Sequence, residues 1–157
     1  MNIVLARIDD RLIHGQVATI WSKATKCQRI IVCNDDVIKD SIRKTLLEQV
    51  APPGIKSSVV GIDEAIRAYN IPKYKNDRVL LLFTNPTDVV RMVEGGVDIK
   101  SVNIGGMSFK EGKKQITSVV SVDGTDIEAF KKLNEKGIEL EIRKVSSDSK
   151  VDLMSKL

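Results

Sequence analysis

"RVLLLF", residues 78–83, places five apolar residues in succession after Arg78. A strand with one solvated face alternates in polarity, so this unbroken run suits an inner parallel strand covered on both faces. On its C-terminal side, "TNPTD" (84–88) sets Pro86 to open a helix carrying Val89, Val90 and Val93. Gly95 and Gly96 can end that helix. On its N-terminal side, "YNIPKYKND" (69–77) reads as a loop, preceded by a helical stripe of Ile62, Ala65, Ile66 and Tyr69. A strand set between two helices is the repeating unit of an α/β sheet.

The rest of the chain continues the alternation. "NIVLARI" (2–8), "RIIVC" (29–33), "IKSSVV" (55–60), "IKSVNIGGM" (99–107) and "QITSVVSV" (115–122) read as strands. "IELEIR" (138–143) alternates strictly, as a half-exposed edge strand does. Val17, Ile20, Trp21 and Ala24 lie at helical spacing, as do Ile38, Ile42, Leu46 and Val50 before "APPG" (51–54) stops the run. "TDIE" (125–128) has the form of a capping box opening a helix over Ile127, Phe130 and Leu133, with Gly137 to close it. Leu153 and Leu157 could dock a final short helix. The pattern predicts an α/β fold: an open, mostly parallel twisted sheet with helices on both faces. No linker or internal repeat divides it, so residues 1–157 are read as one domain.

Composition narrows the function. The content of 42% hydrophobic and 29% charged residues is that of a water-soluble globular chain. No apolar run approaches the ~18–20 residues of a membrane span, and the N-terminus lacks the basic opening of a secretory signal. A cytoplasmic protein is expected. Cys27 and Cys33 have no metal or redox spacing and read as buried thiols. The net charge of +4 is scattered, and six aromatic residues offer no stacking platform, which argues against nucleic acid.

The one histidine of the chain, His14, falls where the first strand gives way to a helical pattern, in "IDDRLIHGQV" (8–17). In open α/β sheets ligands bind outside the carboxyl ends of the strands. Asp9, Asp10, Arg11 and His14 gather at such an end, as do "NDD" (34–36), "TNP" (84–86) and "NIGGM" (103–107). An imidazole at a helix N-terminus lies beside free N–H groups that favour an anion, and Gly15 lets the backbone approach closely. Arg11 can grip phosphate oxygens through its planar fork. Asp9 or Asp10 could orient the ring or simply cap the turn. These are the parts of nucleophilic catalysis through phosphohistidine. The same spacing also fits a lone histidine serving as a cap or a satisfied core residue. The glycine pair at 105–106 reads equally as a turn, "NDD" as a helix cap, Trp21 as core and "KEGKK" (110–114) as a solvated turn. Two other readings follow from this: a regulatory α/β domain that binds phosphate or a nucleotide non-covalently, and a structural interaction module.

"RIDDRLIHGQVATIW" (7–21) resembles the signature of the IIB components of the mannose/fructose/sorbose family of bacterial sugar phosphotransferase systems. The resemblance continues through "VCNDDV" (32–37), "FTNPTDVVRMVEGG" (83–96) and "SVNIGGM" (101–107). It implies an open α/β sheet and a protein-phosphohistidine–sugar phosphotransferase. His14 would take a phosphoryl group on Nδ1 from a phosphohistidine of the IIA component. It would pass the group to a sugar held by the membrane IIC/IID permease. Arg11 would stabilise the phosphate, and Asp10, Gly15 and Gln16, which match the same motif, would bind or orient it. No metal or other cofactor is implied. Expected partners are the IIA phosphocarrier, the permease and, through it, the sugar, with contact at the inner face of the membrane only transient. Whether copies of the chain also associate is left open.

Overall fold

The computed structural model describes residues 1–12 and 15–157, with Gln16 and Val17 described in backbone only. "RVLLLF" forms β4 (Arg78–Phe83), in a seven-stranded sheet with β1 (Asn2–Asp9), β2 (Arg29–Cys33), β3 (Lys56–Val60), β5 (Ser101–Gly106), β8 (Glu139–Ile142) and β9 (Val151–Asp152). The strand order is β3-β2-β4-β1-β5-β8-β9, parallel except for the antiparallel β8–β9 pair. A separate two-stranded hairpin of β6 (Lys114–Gln115) and β7 (Ser121–Val122) is joined to the end of β5 by a bridge between Met107 and Val120. Helices α1 (Gly15–Thr25), α2 (Ser41–Gln49), α3 (Ile62–Tyr69), α4 (Pro86–Glu94) and α5 (Gly124–Glu135) cover the sheet.

The side chains of β4 show why its run is unbroken. Val79, Leu81 and Phe83 enter one core with Ile62, Val89, Met92, Phe130 and Leu133, contributed by α3, α4 and α5. Leu80 and Leu82 enter a second core with Trp21 of α1 and Leu47 of α2. Each such side chain contributes about 1.5–3 kcal/mol on burial, so both faces are driven to acquire a helix layer. Among the described residues, no helix is long and apolar enough to cross a membrane.

Several local expectations are corrected. The stripe Ile38, Ile42, Leu46, Val50 does not face the core: Ile42 is 74% and Leu46 57% exposed, while Val37 and Leu47 point inward. A 3₁₀ turn at Val37–Lys39 and the Asp40 N-cap break the run, so Ile38 does not share a helix with the rest. On α1, likewise, Trp21 is buried while Ile20 and Ala24 face out. Secondly, β8 is not an edge. It pairs with β5 and β9, and Leu140, Glu141 and Ile142 are all buried, so its polar alternation serves a buried polar face. Thirdly, the α5 capping box is Asp123 with Asp126, two residues upstream of the "TDIE" reading. The strand expected over 115–122 is divided between the two hairpin strands. Leu153 is buried in the final 3₁₀ turn, whereas Leu157 is exposed.

Candidate functional site

The strand order locates a crevice. The chain leaves β1 toward β2 on one side and leaves β5 toward β8 on the other, so the two adjacent strands part company at their carboxyl ends. This is the topological switch point at which open α/β sheets bind ligands. The loop after β1 carries Asp10 and Arg11. The segment after β5 carries Met107, Ser108 and Phe109. Between them lies a cleft of about 330 Å³ whose walls include Asp10, Arg11, Gly106, Ser108, Gln115 and Ser118.

Arg11 is fixed from behind. Its Nε donates to Asp9 Oδ1 at 3.1 Å and its Nη2 to Asp9 Oδ2 at 3.2 Å, while its backbone N–H also reaches Oδ1 at 3.1 Å. Asp9 is 1% exposed and Arg11 44%, so a buried carboxylate grips one edge of a half-exposed guanidinium. Nη1 lies at the opposite corner of the fork and donates to none of the described residues. The hydrogen bond to Asp9 holds Arg11 above its ordinary pKa, so it stays cationic at any physiological pH.

Asp9 is itself set by a second cation. Arg7, 2% exposed, donates to Asp9 Oδ2 at 3.0 Å, to Asn103 Oδ1, and to the carbonyls of Arg143 and Lys144 at 3.1 and 3.2 Å. Burial pulls the Arg7 pKa down and Asp9 pulls it back up. Register continues the rung across three strands, since Arg7 opposes Asn103 and Asn103 opposes Glu141. Asn103 Nδ2 donates to Glu141 Oε2 at 3.2 Å, and Arg143 closes a two-pronged pair on Glu141 at 2.8 Å on both oxygens. The guanidiniums of Arg7 and Arg143 lie over the Trp21 ring, 5.3 and 5.1 Å from its centroid, and Trp21 Nε1 donates to the Lys144 carbonyl at 3.0 Å. Trp21 is core, as its spacing allows, and also the lid on this buried polar rung.

The glycine pair at 105–106 is not a turn. It lies within β5, where Ile8 opposes Ile104 but Asp9 opposes Gly106, so Gly105 is the extra residue of a bulge. A Cβ on Gly105 would lie 2.0 Å from Arg7 Cζ, and one on Gly106 would lie 3.3 Å from Arg11 Nη2. The pair therefore makes room for both guanidiniums. Leu12 turns the chain out of β1 at φ 61°, a left-handed conformation that costs about 1–2 kcal/mol for a non-glycine residue. Its burial against the Trp21 core offsets that strain.

Of the residues selected from sequence, Arg11, Asp10 and Gly15 are brought to this end of the sheet. Asp10 turns toward the opposite loop, where its carboxylate accepts from Ser108 N at 2.7 Å and Ser108 Oγ at 2.9 Å. Gly15 opens α1 at φ 32°. His14 and the Gln16 side chain lie outside the described residues. "NDD" and "TNP" resolve as caps: Asn34 Oδ1 accepts from Asp36 N and Val37 N, and Asn85 Oδ1 accepts from Asp88 N. Asp35 accepts from Ile62 N and from Arg91, whose hydrogen bond holds its carboxyl below the ordinary range. Within "KEGKK", Lys110 and Glu111 are solvated but Lys113 pairs with Asp126 at 3.1 Å. Burial pushes the Cys33 thiol up, leaving it unreactive.

Residues 3–157 match the family model described as the sorbose subfamily IIB component of the PTS system. The chain is 64% identical over 160 residues to the mannose-specific EIIAB component of Escherichia coli (strain K12), covering 100% of this chain and 50% of that protein. It thus spans about half the length of the mannose-specific relatives it matches. It is 54% identical over 157 residues to the sorbose-specific EIIB component of Klebsiella pneumoniae, covering 100% of this chain and 96% of the relative. The crystal structure of the IIBSor domain of the sorbose permease from Klebsiella pneumoniae superposes with a TM-score of 0.98, covering 99% of this chain and 96% of that one.

Proposed function

The chain belongs to the sorbose-subfamily IIB components of the sugar phosphotransferase system, and from that premise we propose that it is a phosphoryl carrier acting through His14. The IIA component presents a phosphohistidine. The N–P bond of the donor breaks as a new N–P bond forms at Nδ1 of His14, and the donor imidazole keeps the released electron pair. In the second step a sugar hydroxyl held by the IIC/IID permease attacks the same phosphorus. The His14 N–P bond breaks, an O–P bond forms and the hydroxyl proton leaves to a base or water. Residues 1–157 act as one phosphotransferase domain, in the cytoplasm and transiently at the inner face of the membrane.

The observation that carries this reading is the clamp on Arg11. Asp9 occupies one edge of the guanidinium, and the Nη1 edge beside the crevice donates to none of the described residues, three positions before the motif histidine in the sequence. Arg7 and Arg11 share the buried Asp9, so Arg11 is held in place as a cation beside the crevice, suited to a phosphoryl group in transit. Phosphoryl transfer needs in-line positioning and stabilisation of the equatorial oxygens rather than covalent help from many groups. Arg11 and the backbone N–H groups near Gly15 supply these. Asp10, by pinning Ser108, fixes the opposite wall, and Gln16 is assigned to orientation of the phosphate. Sugar selection is assigned to the permease.

The test is phosphate labelling from phosphoenolpyruvate through the upstream carriers. Wild type takes up an acid-labile phosphate, and His14→Ala takes up none while keeping its unfolding midpoint. Labelling retained in His14→Ala overturns the assignment. The non-covalent regulatory reading predicts instead a rise in melting temperature with a nucleotide and no covalent phosphate.

A further inference from the structure

We infer that Phe109, on the rigid arm between β5 and β6, is the apolar anchor on which the phosphohistidine-bearing donor protein docks. This rests on the phosphocarrier reading and assigns its loading step a contact surface. Phe83 and Phe130 are wholly buried, whereas Phe109 is 65% exposed. It lies in the wall of the same cleft as Arg11. Aromatic side chains, phenylalanine among them, are enriched at protein interfaces over the rest of the surface.

The arm holding it is ordered in advance. Ser108, immediately before Phe109, is tied to Asp10 by two hydrogen bonds. Lys113 donates its backbone N–H to the Lys110 carbonyl at 3.0 Å, closing the tip, and its ammonium pairs with the buried Asp126 of α5. Met107 N and O both bond to the strand around Val119 and Ser121. A pre-ordered anchor forfeits little entropy on binding, which suits a carrier that must bind and release in every cycle.

Charge selects the occupant. The exposed ionic side chains flanking Phe109 in the sequence are Lys110, Glu111 and Lys114, and Asp10 and Arg11 share its cleft, three cations against two anions. A protein whose docking face bears a phosphohistidine brings a compact anion to its own centre, complementary to the Arg11 guanidinium in this cleft and to Lys110 and Lys114 beside the apolar anchor. The geometry thus pairs Phe109 with an apolar recess near the donor histidine and pairs Lys110 and Lys114 with its acidic rim.

Rapid-quench loading of the full chain by the phosphorylated IIA protein tests this, with IIA concentration varied. Phe109→Ala is expected to raise KM for phospho-IIA about tenfold while kcat stays within about twofold, the mark of lost docking with intact chemistry. Phe109→Leu restores most of the affinity, and the exposed site leaves the unfolding midpoint unchanged. Lys110→Glu with Lys114→Glu raises KM and flattens its dependence on salt. A KM for Phe109→Ala within twofold of wild type overturns the inference, as does a variant that loads normally but fails only in discharge to the permease. If wild type itself accepts no phosphate, the phosphocarrier reading falls and this inference with it.

Discussion

Gly105→Ala is the sharpest probe of the buried polar rung. The backbone at Gly105 has no positive φ, so alanine meets no torsional penalty and the effect is purely one of space. The new Cβ would stand 2.0 Å from Arg7 Cζ and Nη2 and 2.4 Å from Nη1. Ordinary carbon contact requires roughly 1.5 Å more, so the guanidinium must leave its seat. It then loses its bonds to Asp9, Asn103 and the carbonyls of Arg143 and Lys144. Removing one member of a buried ionic pair costs about 3–5 kcal/mol, and the stiffer alanine backbone returns under about 1 kcal/mol. The expected net loss is about 2–4 kcal/mol, or roughly 10 °C in Tm for a chain of this size. Urea unfolding followed through the single tryptophan, which stacks against Arg7, measures it directly. In an Arg7→Met background the same alanine should cost far less, because no guanidinium remains to be displaced. An unfolding free energy for Gly105→Ala within about 0.5 kcal/mol of wild type would refute the steric reasoning.

Neighbouring positions should respond differently. Gly106→Ala brings a Cβ 3.3 Å from Arg11 Nη2 and 3.4 Å from Asp9 Oδ1, so the clamped but half-exposed guanidinium must give by a few tenths of an ångström. Stability should stay within about 1 kcal/mol while the loading rate falls about tenfold, since small displacements of a positioning group are costly to transfer. Ile42→Glu on α2 replaces a solvated side chain and should change unfolding free energy by less than about 0.5 kcal/mol, as read by urea titration. Asp35→Asn tests the Arg91 pair, both partners being more than a third exposed. Because Asp35's folded pKa is held low, its contribution is full above the ordinary carboxylate pKa and is lost as pH falls through the depressed value. The variant should lose at most about 1 kcal/mol at pH 7 and converge with wild type below the ordinary carboxylate range; a gap that widens in acid would contradict the sign.

The sheet was legible because β4 had to be covered on both faces, and the apolar run states that without reference to any neighbour. Helix placement was legible too, in Pro86, Gly95 and the stripe from Ile62 to Tyr69. Helix facing was less so. The four-residue spacing of Ile38 to Val50 spans a break between two helices at Asp40, and periodicity does not register a break made by a cap. Strand order is absent from local pattern, and "IELEIR" therefore read as an edge. Its alternate glutamate is buried because Arg143, only two residues on, neutralises it. Arg11 and the clustering of polar strand ends were visible in the sequence. The role of Arg7 was not, although one signal stood in plain view: an arginine inside the apolar run of β1 must find a partner once buried. Asp9 stands two residues on, but the remaining partners come from β5, the segment after β8 and α1, far apart in the chain. Gly105 likewise became interpretable only once the Arg7 guanidinium was seen above it.

The most direct measurement is ¹⁵N and ³¹P NMR of the protein with labelled imidazole, before and after loading from phosphoenolpyruvate. With one histidine in the chain, the ring nitrogens assign themselves. The account predicts a phosphorus resonance coupled to Nδ1 of His14, which disappears when the permease and its sugar are added. An unaltered imidazole under full loading conditions, or phosphorus carried on any other side chain, would contradict it.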